Sequence, residues 1–361
     1  MTGIKAPFPW FGGKSRVAHL VWERFGDVPN YVEPFAGSLA VLLSRPTPPK
    51  IETVNDIDCY LSNFWRAIAN DPKSVAKWAD WPVNEADLSA RHQWLVKQKE
   101  FRERMKTDPE FYDTKIAGWW VWGISCWIGS GWCSIIDNGK TTIYHKRPHL
   151  GNSGKGVHRQ LPHLGNEGMG IHRKRPHLSD AGIGIHRQLP YLRHYGQGIH
   201  QQRPNLIHHG EGIFSKSMIS LEEYFELLQA RLRRVRVCCG SWERVLGPTP
   251  TIKNGITGVF LDPPYSEDTQ RCKDLYSHDD MQISYGVREW AIKNGNNPLL
   301  RIALCGYEGE HDMPDWECIA WKTGGGYGSQ GHRKGRENTY KERIWFSPHC
   351  LKTSLFSNIK R

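Results

Sequence analysis

Three observations place the chain in the α/β class, as an open sheet of short apolar strands with helices between them. Tyr31–Phe35 is an apolar run that meets Gly37 and then a helical stretch from Ser38 to Leu43. Ile51–Val54 is a second run, stopped by Asn55-Asp56, and Gly258–Leu261 a third, stopped by Asp262-Pro-Pro. Strands that end in acids and glycine turns put those residues at the carboxyl rim of the sheet, where open α/β folds bind ligands.

The 361 residues suffice for one large core or two modest ones. With 48 Lys and Arg against 37 Asp and Glu, the net charge is +11, which suits a polyanionic partner. Nine cysteines without a CxxC spacing read as reduced thiols of a cytoplasmic protein rather than a disulfide framework. The first residues lack the charged-then-apolar pattern of a secretory leader.

In chain order, residues 5–14 read as a loop, with Pro7 and Pro9 before Gly12-Gly13. Trp10 offers it a stacking face and Lys14 a cation, although any basic turn looks similar. Val17–Phe25 has helical spacing. The strand, the Gly37 turn and the following helix form the usual cradle for a nucleoside cofactor, with N–H groups facing it. Asp56, ending the second strand, suits ribose hydroxyls. The competing reading makes Asp56 or Asp58 the N-cap of the periodic run Tyr60–Ile68, and both roles can coexist.

From Asn84 to Met105 the pattern is helical and charged, with Leu88, Leu95, Phe101 and Met105 pointing inward. Residues 116–136 carry no charge and are long enough to span a bilayer. Four glycines, three serines and five tryptophans there favour a buried helix followed by a Gly-Ser-Gly loop, with a membrane span as the minor alternative.

A 14-residue period then appears: Gly154-Lys-Gly-Val-His158 recurs as Gly168 to His172, Gly182 to His186 and Gly196 to His200. Pro148, Pro162, Pro176, Pro190 and Pro204 keep the same step. Glycine and proline at that density predict short extended pieces and turns, not helices. From Lys140 to Lys216 there are 12 Lys and Arg against three acids, so about +9 of the charge sits here. Arg159, Arg173 and Arg187, each following a histidine, are the candidate phosphate contacts. Eleven of the 17 histidines fall here too, but with no cysteine or carboxylate beside them DNA contact outranks metal binding. The competing reading of the insert is a flexible low-complexity basic arm.

Ser220–Leu232 opens with a capping-box pattern and predicts a helix, and Val235–Cys239 predicts a strand. Leu300–Cys305 and Glu342–Ser347 predict later strands, with Arg333 and Lys334 in a basic loop or hairpin tip between them. At Asp262 the apolar run stops because Pro263 and Pro264 lack N–H groups and fix φ. A carboxylate, a stiff turn with unconsumed carbonyls and the ring of Tyr265 make a receptor for a planar amine such as adenine. Read alone, the tetrapeptide is equally an ordinary strand-ending turn.

Pro9-Trp-Phe-Gly-Gly-Lys14, Val32-Glu-Pro-Phe-Ala-Gly37, Val54-Asn-Asp56 and Asp262-Pro-Pro-Tyr265 occur in the order found in one family. In these segments the chain resembles the Dam-type (D12 class) DNA adenine-N6 methyltransferases, which use S-adenosylmethionine. The resemblance implies a Rossmann-like class I methyltransferase sheet with an inserted helical and repeat-containing DNA-recognition domain. It implies cofactor contacts at Trp10, Lys14, Glu33, Phe35, Gly37, Asp56 and Asp262. Asp262 and the Pro263 carbonyl would accept hydrogen bonds from N6 of an extruded adenine, and Tyr265 would stack on the base. Where many members carry a second glycine two residues after the first, this chain has Leu39.

The expected division is residues 1–80 and 218–361 for the catalytic domain and 81–217 for target recognition, helical over 81–133 and repetitive over 142–213. Double-stranded DNA is the expected partner, without a membrane. A cognate restriction endonuclease is a candidate second partner, and the oligomeric state stays open. A cytosine-C5 mechanism needs a Pro-Cys nucleophile, which is absent. Cytosine-N4 and protein-glutamine methyltransferases commonly have Ser or Asn in place of Asp262, and a DNA-binding protein on an inactive scaffold is the remaining alternative.

Overall fold

The computed structural model describes residues 4–8, 10, 13–48, 50–127, 132–133, 136–137, 142–143, 220–264, 281–321 and 341–352. The 14-residue repeats, Tyr265 and the loop carrying Arg333 and Lys334 lie outside the described residues.

The strands are β1 (Asn30–Glu33), β2 (Ile51–Asp56), a two-residue ribbon of β3 (Ile136–Asp137) and β4 (Thr142–Ile143), β5 (Val235–Cys239), β6 (Thr257–Leu261), β7 (Leu300–Tyr307), β8 (Glu317–Ala320) and β9 (Glu342–Phe346). Seven of them form one sheet in the order β5-β2-β1-β6-β7-β9-β8. β5, β2, β1, β6 and β7 are parallel neighbours, and β9 runs antiparallel to both β7 and β8. The order reverses between β1 and β6, which makes their carboxyl ends the switch point of the sheet.

Alternation along the strands separates two cores, because successive side chains in a strand face opposite ways. Tyr31, Phe260 and Ala303 join the larger core, together with α1 (Ala18–Phe25), α2 (Ala40–Leu43), α3 (Cys59–Asn70), α4 (Pro72–Ala79), α5 (Glu85–Val96), α6 (Lys99–Thr107), α7 (Thr114–Cys126) and α8 (Leu221–Leu232). Val32, Val259, Leu261, Ile302 and Leu304 face the other way, toward Val287 and Ala291 of α9 (Met281–Asn294). Phe64, Trp65, Trp120 and Phe225 are all fully buried in the larger core, and Phe64 of α3 packs against both Trp120 of α7 and Phe225 of α8, so aromatic packing runs from α7 through α3 to α8.

The single helical pattern from Asn84 to Met105 is in fact two helices. The N–H of Lys97 bonds Trp94 O at 3.2 Å, a tighter turn than the α-helical ladder, and α6 starts afresh at Lys99. The four residues predicted to point inward are buried. Residues 116–126 of the uncharged stretch lie in α7, which Asp113 caps and which ends at Cys126, and the expected Gly-Ser-Gly loop lies outside the described residues. Among the described residues no helix is long and apolar enough to cross a membrane. Ser220 and Glu223 make the predicted capping box at α8. Arg231 of α8 and Arg45 both reach Glu52 of β2, at 2.6 and 3.2 Å, fastening the segment after the repeats to the sheet one strand in from its β5 edge.

Candidate functional site

Past β1 the chain turns through Gly37, whose φ of +46 lies in the left-handed region that L side chains avoid. A Cβ at Gly37 would lie 2.7 Å from Trp10 Cδ1 and Nε1, so the missing side chain is also what lets the indole close over the turn. The Gly37 N–H donates to Asp56 Oδ2 at 3.2 Å, and its carbonyl accepts from Trp65 Nε1 at 3.1 Å. Leu39, at the position where the resemblance implies a second glycine, is also left-handed at φ 57. For leucine that conformation costs roughly 1–2 kcal/mol, which full burial of its side chain offsets at about 1.5–3 kcal/mol. The helix therefore begins at Ala40, two residues later than its sequence suggests.

Asp56 ends β2 with its backbone carbonyl bonded to Gly240 N at 3.0 Å and its carboxylate to the N–H groups of Gly37 and Asp58. The N-cap of α3 is Asp58, whose side chain accepts from Tyr60 N and Leu61 N, so the capping role predicted for either acid falls to Asp58. Burial pushes the Asp56 carboxyl up to about 7, and the nearby Asp58 charge adds to the rise. A carboxyl whose folded pKa is raised stabilises the fold in its protonated form. That contribution is complete below an unfolded value of about 4 and is lost as pH rises through about 7. Asp56→Asn removes this titration. The melting temperature of wild type should therefore fall relative to Asp56→Asn between pH 4 and 8, which paired thermal melts across that range will measure.

Beside Asp56, Phe35 and Trp242 stack at 6.3 Å and 29°, and Ile57 is exposed. Neither Trp242 nor Ile57 stood out in the sequence, and the only available signal was an apolar side chain just past a strand end. Glu33 is enclosed at 2% exposure and accepts the Tyr31 hydroxyl at 2.9 Å. Burial raises its carboxyl well above the usual range, and the negative charge of Asp262 adds to the rise.

Asp262 follows β6, next to β1 at the switch point, and Pro263 behind it is buried. Its Oδ1 lies 2.9 Å from Lys14 Nζ, and both side chains are largely enclosed. One strand separates β2 from β6, so Asp56 and Asp262 stand roughly 10 Å apart along the rim, two strand spacings of about 4.8 Å. The structure thus brings Trp10, Lys14, Glu33, Phe35, Gly37, Asp56 and Asp262 to one rim. Tyr265, Arg159, Arg173, Arg187, Arg333 and Lys334 are outside the described residues.

The arrangement fits a nucleoside cofactor on the β1–β2 side: a glycine turn with no room for a Cβ, an acid at the end of the second strand, and aromatic faces flanking it. Fewer than three His, Cys, Asp or Glu gather anywhere among the described residues in a way that could hold a metal. No curated protein matches the chain. The model of the D12 class N6 adenine-specific DNA methyltransferases matches residues 10–127, which include the Gly37 turn, Asp56 and the helices through α7 and stop well before Asp262. Over residues 10–127, then, the chain is similar to the D12 class N6 adenine-specific DNA methyltransferases.

Proposed function

We propose that the protein methylates N6 of adenine in double-stranded DNA from S-adenosylmethionine, with Asp262 and the Pro263 carbonyl accepting the target amine. The observation that carries this is the placement of Asp262 at the switch point, joined by Lys14 to the segment that matches the adenine-specific family. When bound, S-adenosylmethionine supplies an electrophilic methyl carbon. Trp10, the Gly37 turn and Asp56 would hold it. Adenine N6 is inaccessible inside a duplex, so the base is extruded. Asp262 and the Pro263 carbonyl then hold the nitrogen in line, where orientation alone is worth several powers of ten. The amine becomes acidic as its new bond forms and loses its proton afterwards, so Asp262 acts as an acceptor and need not be a strong base.

In this reading residues 81–217 recognise the target, and Arg159, Arg173, Arg187, Arg333 and Lys334 contact phosphates. The protein is cytoplasmic, and a restriction endonuclease of matching specificity is its candidate partner. Tritiated methyl incorporation into DNA free of adenine modification, followed by nucleoside digestion, tests the activity. Label in N6-methyldeoxyadenosine is expected, while label in N4-methyldeoxycytidine or in none would overturn it.

Removing one whole repeat, Gly168 to Ala181, should leave a folded protein with weaker DNA binding. The slope of log affinity against log salt should become shallower by about one to three, in proportion to the number of phosphates that the deleted unit neutralises. An unchanged slope would assign the DNA surface to other parts of the chain.

A further inference from the structure

We propose that Cys59 and Cys239 form a reversible thiol–disulfide switch, oxidised by hydrogen peroxide, that weakens methyl-donor binding through the end of β2 to which both are tied. The effect on the donor rests on the proposed role of Asp56, whereas the oxidation itself does not.

The two thiols come from distant parts of the chain and meet at the rim of the sheet, with their sulfurs 3.8 Å apart. Cys59 is the first residue of α3 and Cys239 the last of β5, and both are free thiols. Alternation along β5 decides which of its two adjacent cysteines takes part. Cys239 faces the larger core together with Cys59, whereas Cys238 packs against the smaller core on the other face.

The surroundings divide the roles between the two sulfurs. The Cys59 contact, then the Ser62 side chain and the Arg66 charge, hold the Cys239 thiol below its usual range against the opposing effect of burial. Cys59 is pushed up by the same contact and by burial. One nucleophilic thiolate beside one protonated thiol is the arrangement that disulfide formation needs. The Cys239 thiolate attacks one peroxide oxygen, forming the sulfenic acid and releasing hydroxide, which takes a proton from water. The Cys59 sulfur then forms the S–S bond, and its proton leaves with the sulfenic oxygen as water, so two thiols supply the two electrons that reduce one peroxide. Both residues are enclosed, at 6% and 3% exposure, which keeps out bulky disulfides and leaves a molecule little larger than water as the fitting oxidant.

An S–S bond is about 2 Å long, so the start of α3 and the end of β5 must draw together, and Asp56 is tied to both. It pairs with Cys239 in the β2–β5 register, and its carbonyl accepts Gly240 N at 3.0 Å and the Ser62 hydroxyl at 3.2 Å. Its carboxylate accepts Asp58 N, next to Cys59, at 2.9 Å. Asn55 Nδ2 donates to the Gly240 carbonyl at 2.9 Å as well. A shift at either cysteine therefore reaches the acid that ends β2 through short bonds, with no loop between to absorb it.

The test uses the full chain, reduced and then freed of reductant, treated with hydrogen peroxide and read by intact mass, peptide mapping and calorimetry with S-adenosylmethionine. Loss of two hydrogen atoms and a Cys59–Cys239 cross-link are expected. The Kd for S-adenosylmethionine should weaken by about tenfold or more, the scale of one lost hydrogen bond to a charged group, and recover in dithiothreitol. Cys59→Ser should bind the donor normally and ignore peroxide, and if it unfolds, Cys239→Ala carries the same readouts. Cys238→Ser should keep the whole response. The switch is overturned by the absence of a cross-link, by a link from Cys238 instead, or by a cross-linked protein that binds the donor as tightly as the reduced one. Failure of the donor-site reading looks different: the cross-link forms, but the reduced protein does not bind S-adenosylmethionine.

Discussion

Asp262→Ala should reduce methyl transfer by at least about 10³-fold, since it removes both an aligning acceptor and any proton acceptance at the reacting nitrogen. DNA affinity should stay within a few-fold, because most of that affinity comes from phosphate contacts and Asp262 supplies none. The same change leaves Lys14, 8% exposed, without the carboxylate 2.9 Å away, so a fall in melting temperature is also expected. Asp262→Asn separates the two effects, because it keeps the volume and one acceptor oxygen while losing the charge. Single-turnover rates and thermal melts of both variants, side by side, decide the matter. Retained turnover in either variant at the wild-type rate removes Asp262 from the chemistry.

Gly37→Val is the second large effect. A β-branched side chain at φ +46 is strained by its backbone alone, and its Cβ would fall 2.7 Å from the Trp10 indole. The turn must then open, breaking the Gly37 N–H bond to Asp56 and the Trp65 bond to the Gly37 carbonyl together. Losing two bonds and a strained conformation predicts roughly 2–4 kcal/mol. Because both bonds lie at the proposed cofactor side, calorimetry should find at least a 30-fold weaker affinity for S-adenosylmethionine, with bulk helicity preserved. Trp10→Ala in the Gly37→Val background should relieve the collision but not the backbone strain, so only part of the loss should return.

The strands were legible wherever their own residues decided them. Val235–Cys239 matches its predicted span, and Ile51–Asp56 and Leu300–Tyr307 each run two residues further, because hydrogen bonding to a neighbouring strand extends a strand past its apolar residues. β8, Glu317–Ala320, was missed because three of its four residues are exposed and it shows no regular alternation. α4 was missed as well: it is short, and its start is set by the Asp71 side chain and by Pro72 at its first turn. In the site, the individual motifs stood out, since glycine turns and strand-ending acids are local features. The Lys14–Asp262 bond and the Phe35–Trp242 stack join residues more than 200 positions apart, and a pairing across that distance leaves no trace in either local pattern.

The order of the sheet also bears on how the chain comes together. β1 and β2 are complete within the first 56 residues, yet both of their outer neighbours, β5 and β6, come from after residue 234. A nascent chain therefore carries this pair with two open edges until most of its length has been made, which is the stretch in which mispairing with another chain is most dangerous. It also means that the two halves are interleaved like fingers and not laid end to end. Two separate polypeptides divided within the repeats, co-expressed, would have every reason to find each other, since each holds the strands that close the other's edges.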